Sequence, residues 1–206
     1  ARVPRAFIAL AEAAACHRDP ERWAILYRVL WRLTHGEPRL MEVAMDPDVH
    51  RMLGMEKAVR RDVHKTKAFV RFRAVDVEVG THYVAWFEPD HHTLERSAPF
   101  FAERFASMSW SILTPRRCAH WDGEDLWFSA GVPRSSAPGE DALEGLWRTY
   151  YASIFNPARM KPRAMRAEMP LRYWRNLPEA ELIQGLMRDA PARVRRMIEA
   201  QRAEGE

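Results

Sequence analysis

Residues 68–87, AFVRFRAVDVEVGTHYVAWF, decide how this chain folds. Ala68-Phe69-Val70-Arg71-Phe72-Arg73-Ala74 alternates apolar and charged side chains, the period of a strand with one wet face. Gly80 interrupts, and Thr81–Phe87 is again rich in β-branched and aromatic residues, which predicts a hairpin. With a two-residue Val79-Gly80 loop, Arg73 falls opposite Trp86 and Arg71 opposite Glu88 on one face. Phe72 and Phe87 then share the other. A one-residue slip would exchange the faces.

On either side of this stretch the period changes. Upstream, Asp19-Pro20-Glu21 and Asp46-Pro47-Asp48 are helix starts, with Asp positioned to accept from free N–H groups and Pro suited to the first turn. The first start leads into Trp23, Leu26, Tyr27, Leu30 and Trp31, expected to form one apolar side before Gly36. The second leads into a helix that carries basic residues along a stripe through Arg60 and His64. Downstream, a short helix is expected over Ala98–Ala106. Short strands follow at Trp110–Leu113, Ala119–Trp121 and Leu126–Ser129, the last two joined at Asp122-Gly123. Beyond the Gly131–Gly139 loop, helical spacing returns in Leu143, Leu146, Trp147, Tyr150, Tyr151 and Ile154, and again from Pro178 to Ile198. The expected fold is α+β. N-terminal helices lead into a small, mostly antiparallel sheet, and C-terminal helices pack on it, all in a single domain over 1–206.

Composition narrows the function classes. The 206 residues are 47% apolar and 29% charged, within the globular range, and no run approaches the roughly 18 apolar residues of a membrane span. Two cysteines, Cys16 and Cys118, cannot staple a secreted mini-fold, and no signal sequence opens the chain, so the expected location is the cytoplasm. The chain begins at Ala1, and a piece of a longer protein is expected. The net charge of +4 is unevenly spread. Lys57, Arg60, Arg61, Lys65, Lys67, Arg71 and Arg73 stand against one acid, Asp62, a local +6. Arg159, Lys161, Arg163, Arg166, Arg172 and Arg175 stand against Glu168, a local +5, so the rest of the chain carries −7. Segregation of this kind creates a field that a polyanion can use, and two solvated helix faces are the plainer alternative.

No dinucleotide-binding glycine pattern, Walker loop, zincin helix or nucleophile elbow occurs. The most reactive stretch is Glu88-Pro89-Asp90-His91-His92. Its carboxylates and imidazoles are suited to acid–base work near neutral pH or to a divalent metal, for which Cys118 and His120 could complete the set. A polar loop is the alternative, and no metal or cofactor is assigned. The second feature is basic residues interleaved with aromatics. Arg71 and Arg73 on one strand face would lie about 6.6 Å apart. Tyr150-Tyr151, Asn156 to Lys161, and Arg172-Tyr173-Trp174-Arg175 repeat the mixture. Cations neutralise phosphate while Tyr or Trp rings stack on a base, unless those rings are core.

Several blocks carry a resemblance. They include Cys16–Trp23 (CHRDPERW), Val63–Phe72 (VHKTKAFVRF), Tyr83–His92 (YVAWFEPDHH), Trp110–Pro115 (WSILTP) and His120–Gly123 (HWDG). Leu146–Tyr151 (LWRTYY), Phe155–Arg159 (FNPAR), Met169-Pro170 and Tyr173–Pro178 (YWRNLP) extend it over nearly the whole chain. Together they resemble an uncharacterised bacterial family described as probable DNA metabolism proteins. In that family the domain is often fused to, or encoded beside, a UdgX-type member of the uracil-DNA glycosylase superfamily, and a radical-SAM protein is a frequent neighbour. The resemblance implies a DNA repair or modification setting and a companion domain, since the glycosylase's own Gly-Glu-x-Pro-Gly loop is missing.

The leading expectation is a DNA-binding accessory domain, with single-stranded or damaged DNA favoured as partner beside the glycosylase and the radical-SAM protein. Its binding residues are His64, Lys65, Lys67, Arg71, Arg73, Arg148, Tyr151, Arg159, Lys161 and Trp174. The rival is an enzyme acting on a damaged or modified base, with His91 or His92 as acid–base and Asn156 or Glu88 orienting it. A third reading is a protein-interaction scaffold for the glycosylase or radical-SAM partner.

Overall fold

A computed structural model describes residues 3–76, 81–137 and 171–174, together with Leu177, Gly185 and Arg188. Two N-terminal helices, α1 (Arg5–Ala15) and α2 (Arg22–Thr34), precede the long α3 (Pro47–Phe69). Strands β1 (Arg73–Asp76) and β2 (Thr81–Trp86), helix α4 (Leu94–Arg104), and strands β3 (Trp110–Leu113), β4 (Arg117–Trp121) and β5 (Leu126–Ala130) follow, with the one-turn α5 (Leu171–Trp174). The fold is α+β, as expected. The strands lie in sequence order in one sheet, and every neighbouring pair is antiparallel except β2–β3, which is parallel. That parallel pair needs a crossover, which α4 supplies, so one βαβ unit sits inside the sheet.

α3 joins two cores. Its N-terminus is fixed by Asp46, whose carboxylate accepts from the Asp48 and Val49 amides, with Pro47 in the first turn. Val49, Met52 and Met55 pack with Phe7, Leu10, Ile25 and Val29 into a helical core. At the other end Phe69 and Val70 reach the sheet core, formed by Ala85, Phe87, Trp110, Ile112 and Ala119 from the strands and Leu94, Ala98 and Phe101 from α4. Tyr173 of α5 closes this core. It is 1% exposed, between Phe69 and Phe87 at ring-centroid distances of 5.4 and 5.3 Å, and burial pushes its phenol up to about 12.

Four expectations are corrected. Ala68 and Phe69 end α3 instead of opening a strand, and Arg71 lies before β1, its guanidinium donating to the Ala68 and Val70 carbonyls at the helix end. The hairpin pairs Arg73 with Val84, so the link is longer than two residues. A slip of two keeps every side chain on its expected face. On α2 the buried stripe is Ile25, Val29 and Leu33, whereas Trp23, Tyr27 and Trp31 are exposed. The expected helix over 98–106 starts four residues earlier, at Leu94, with Pro99 inside it.

Candidate functional site

The site grows from Asp62, the single acid in the first basic cluster. On α3, Val59, Asp62 and Thr66 continue the buried stripe of Val49, Met52 and Met55 at steps of three and four. A carboxylate so placed must be hydrogen-bonded. Asp62, 3% exposed, accepts from the backbone N–H groups of Asp90 and His91, both at 3.0 Å, and from the Thr93 hydroxyl at 2.7 Å. It thereby pins the loop between β2 and α4 onto α3.

That loop presents His91 and His92 in different roles. His91 Nδ1 accepts the Arg18 N–H at 3.2 Å, so its neutral ring carries the proton on Nε2. Its ring stacks on His17, centroids 4.3 Å apart, and His17 Nδ1 in turn accepts the Asp19 N–H. Burial first and the neighbouring His17 second hold the His91 imidazole below its ordinary pKa. The His92 amide donates to the Cys16 carbonyl at 2.8 Å, and its ring receives the Arg116 guanidinium at 3.1 Å. Burial and then Arg116 lower the pKa of His92 too. Both lone pairs that a general base would use already face donors. What His91 offers a ligand is Nε2–H.

Two clefts flank the loop. One, of about 340 Å³, is lined by Glu88, His91, His92, Glu95, Arg116 and Arg117, with Glu95 and Arg117 paired at 2.8 Å. The other, of about 200 Å³, is lined by Ala58, Arg61, Asp62, Lys65, Asp90, His91 and Arg172. Both carboxylates in it are engaged, Asp62 by the loop and Asp90 by the Arg172 guanidinium. Arg61 and Lys65, one helical turn apart on α3, have no ion pair or side-chain hydrogen bond among the described residues. Lys57 extends the stripe by a further turn, about 6 Å along the axis. With three cations against two engaged carboxylates, the cleft presents spare donors and a net positive charge, a site for an anion.

Of the expected binding residues, Lys65 lines this cleft and His64 is exposed on α3 beside it. Lys67 is exposed, its ammonium 4.7 Å above the Phe100 ring. Arg71 caps α3, and Arg73 sits in β1 on the sheet face turned from α4, so the two do not form an array on one strand. Trp174 is 8% exposed, a core side chain instead of a stacking platform. Arg148, Tyr151, Asn156, Arg159 and Lys161 lie outside the described residues. Among the described residues no group of His, Cys, Asp and Glu with the geometry of a metal centre occurs. Sequence reading missed Asp62 as the organiser, although a lone acid at an apolar-stripe position within seven cations was the available signal. It also missed His17, which no local pattern marks.

Compared with known proteins, residues 20–179 match the family described as a domain of unknown function, DUF4130. No curated protein and no solved structure matches the chain.

Proposed function

The chain belongs to the DUF4130 family, and on that footing we propose that it is a DNA-binding accessory domain of a bacterial repair or modification system. The observation that carries the reading is the cleft beside His91, where Arg61, Lys65 and Arg172 converge around carboxylates that are already satisfied. A backbone phosphate supplies a charged acceptor for Arg61 and Lys65, which have no ion pair among the described residues, and His91 Nε2–H adds a neutral donor. Lys57 continues the positive surface along α3, and Arg148, Arg159 and Lys161 are proposed to extend it, whereas Lys67 lies around the helix over Phe100. Contacts of this kind position a protein on nucleic acid without reading sequence. The acid–base rival is the weaker reading, because the His91 and His92 lone pairs are occupied.

Binding of labelled oligonucleotides by fluorescence anisotropy tests it. Arg61→Ala and Lys65→Ala are expected to weaken binding to unrelated sequences alike and to flatten the salt dependence by about one counterion each. Tight binding that both substitutions leave unchanged would refute the assignment.

A second observation favours a protein partner as well. Trp23, Tyr27 and Trp31 form an exposed aromatic stripe on α2, 56%, 68% and 50% accessible. Such a patch is suited to a docking companion, for which we propose the UdgX-type glycosylase or the radical-SAM protein. Capture of either partner after nuclease treatment, lost in Trp23→Ala/Trp31→Ala, is the expected result.

A further inference from the structure

The sheet has a second chemistry on the face turned away from α4. Phe87, Trp110, Ile112 and Ala119 point into the core, so alternation places His82, Ser111, His120 and Ser129 on the opposite side. These four, with Ser109, form one unbroken chain across β2–β5. Ser109 Oγ lies 2.8 Å from His82 Nδ1, and Ser111 Oγ lies 2.8 Å from His82 Nε2. Ser111 Oγ is also 2.8 Å from His120 Nδ1, and Ser129 Oγ is 2.8 Å from His120 Nε2. Ser111 is 8% exposed, whereas Ser129, at the end of the chain, is open to solvent. Ser129 Oγ also approaches its neighbour's carbonyl, Ala130 O, at 3.3 Å, a longer and weaker alternative. Trp127 stacks over the His120 ring at 5.6 Å and shelters it.

A neutral imidazole has one donor and one acceptor nitrogen, so the hydrogens of this chain run in one direction. In one of the two, Ser129 O–H donates to His120 Nε2, His120 Nδ1–H to Ser111, Ser111 O–H to His82 Nε2, and His82 Nδ1–H to Ser109. A proton moving from Ser129 to His120 then leaves every other bond as it was, and the imidazolium is still received by Ser111. This is the arrangement of an activated nucleophile: hydroxyl and base within hydrogen-bond reach, the base oriented by a third group.

We infer that Ser129 and His120 are a nucleophile–base pair for the hydrolysis of an acyl ester, with Ser111 and His82 as positioning residues. Ser129 Oγ attacks the carbonyl carbon while its proton passes to His120 Nε2. The bond to the leaving alcohol then breaks, and the alcohol takes that proton. Water, deprotonated by the same nitrogen, cleaves the acyl-Ser129 ester and restores the hydroxyl. Ser129 pairs across the strands with Cys118, and Trp127 is its neighbour on the same face, both uncharged and suited to the acyl part of a neutral ester. Among the described residues no strand pairs with the outer edge of β5, whose outward backbone N–H groups suit a developing oxyanion. The inference is independent of the DNA-binding proposal.

The test is covalent labelling of the whole chain with a fluorophosphonate probe, mapped by peptide mass spectrometry, with exposed Ser136 as internal reference. Ser129 is expected to react at least tenfold faster than Ser136, and p-nitrophenyl acetate hydrolysis to vanish in Ser129→Ala. His120→Gln is expected to slow labelling at least tenfold. Ser111→Ala should slow it several-fold, with Ser111→Thr restoring it, because the hydroxyl is what holds the base. Labelling of Ser129 no faster than of Ser136 in the unmodified protein would overturn the inference without any variant having to fold. So would an unchanged rate in His120→Gln that melts like the parent.

Discussion

Replacing Asp62 by Ala removes the acceptor for three donors at once. The Thr93 hydroxyl is fully buried, donates its O–H to Asp62 and makes no cap bond to the start of α4. The Asp90 and His91 amides are part-buried, where water can replace some of the loss. A stranded donor costs about 1–3 kcal/mol. Taking about 1 for each amide and about 1.5 for the hydroxyl gives a destabilisation of about 3–4 kcal/mol. For a chain of this size that lowers Tm by about 10 °C. Asp62→Asn keeps one acceptor and sets an NH₂ against the remaining donors, so it should lose about half as much. Thermal and urea unfolding followed by circular dichroism measure both. The loop should also loosen first, with faster hydrogen exchange at the Asp90 and His91 amides than in α3. An Asp62→Ala variant within about 1 kcal/mol of the parent, with those amides still protected, would refute the reasoning that this carboxylate builds the site.

His17, His82, His91, His92 and His120 all sit below the ordinary value of 6.5, burial being the largest cause for each. The unfolded chain therefore takes up protons first, so stability is full above about pH 6.5 and falls as pH drops through the lowered folded-state values. Unfolding free energies that stay flat between pH 7.5 and 5.5 would contradict this. At Gly131 a Cβ would stand 2.3 Å from the Pro115 carbonyl oxygen, backbone against backbone. Gly131→Ala should cost about 2 kcal/mol or more in denaturant unfolding, and a neutral result would show that the β4–β5 end is pliable. Asp46→Ala removes the α3 cap together with the 2.7 Å pair to Arg32. A loss of about 2 kcal/mol is expected, against less than 0.5 if the cap is redundant.

The parts of the fold legible in sequence were those with strong local physics. Asp46-Pro47 marked the start of α3, and β-branched and aromatic runs located β2 and β3. The end of α3 was misplaced because helix and strand patterns overlap at Ala68-Phe69 and only tertiary packing decides between them. α4 was read four residues late, and it accommodates Pro99 as its sixth residue. On α2, apolar side chains surround most of the helix, so spacing could not tell the buried Ile25, Val29 and Leu33 from the exposed tryptophans. The candidate site was half legible. The basic run and the two histidines stood out, but the roles of Asp62 and His17 depend on partners 28 or more residues away. The Ser–His chain across the sheet depends on the register of β2–β5, which single-sequence reading did not supply.

The most direct test of the central claim is a salt series of the anisotropy titration with single- and double-stranded DNA. With three to four phosphates neutralised at the α3 cleft, affinity for duplex should fall about 40- to 150-fold between 50 and 200 mM salt. It should fall less steeply in Arg61→Ala/Lys65→Ala. No binding at 50 mM salt, or binding indifferent to salt, would contradict the account and leave the cleft without a phosphate to hold.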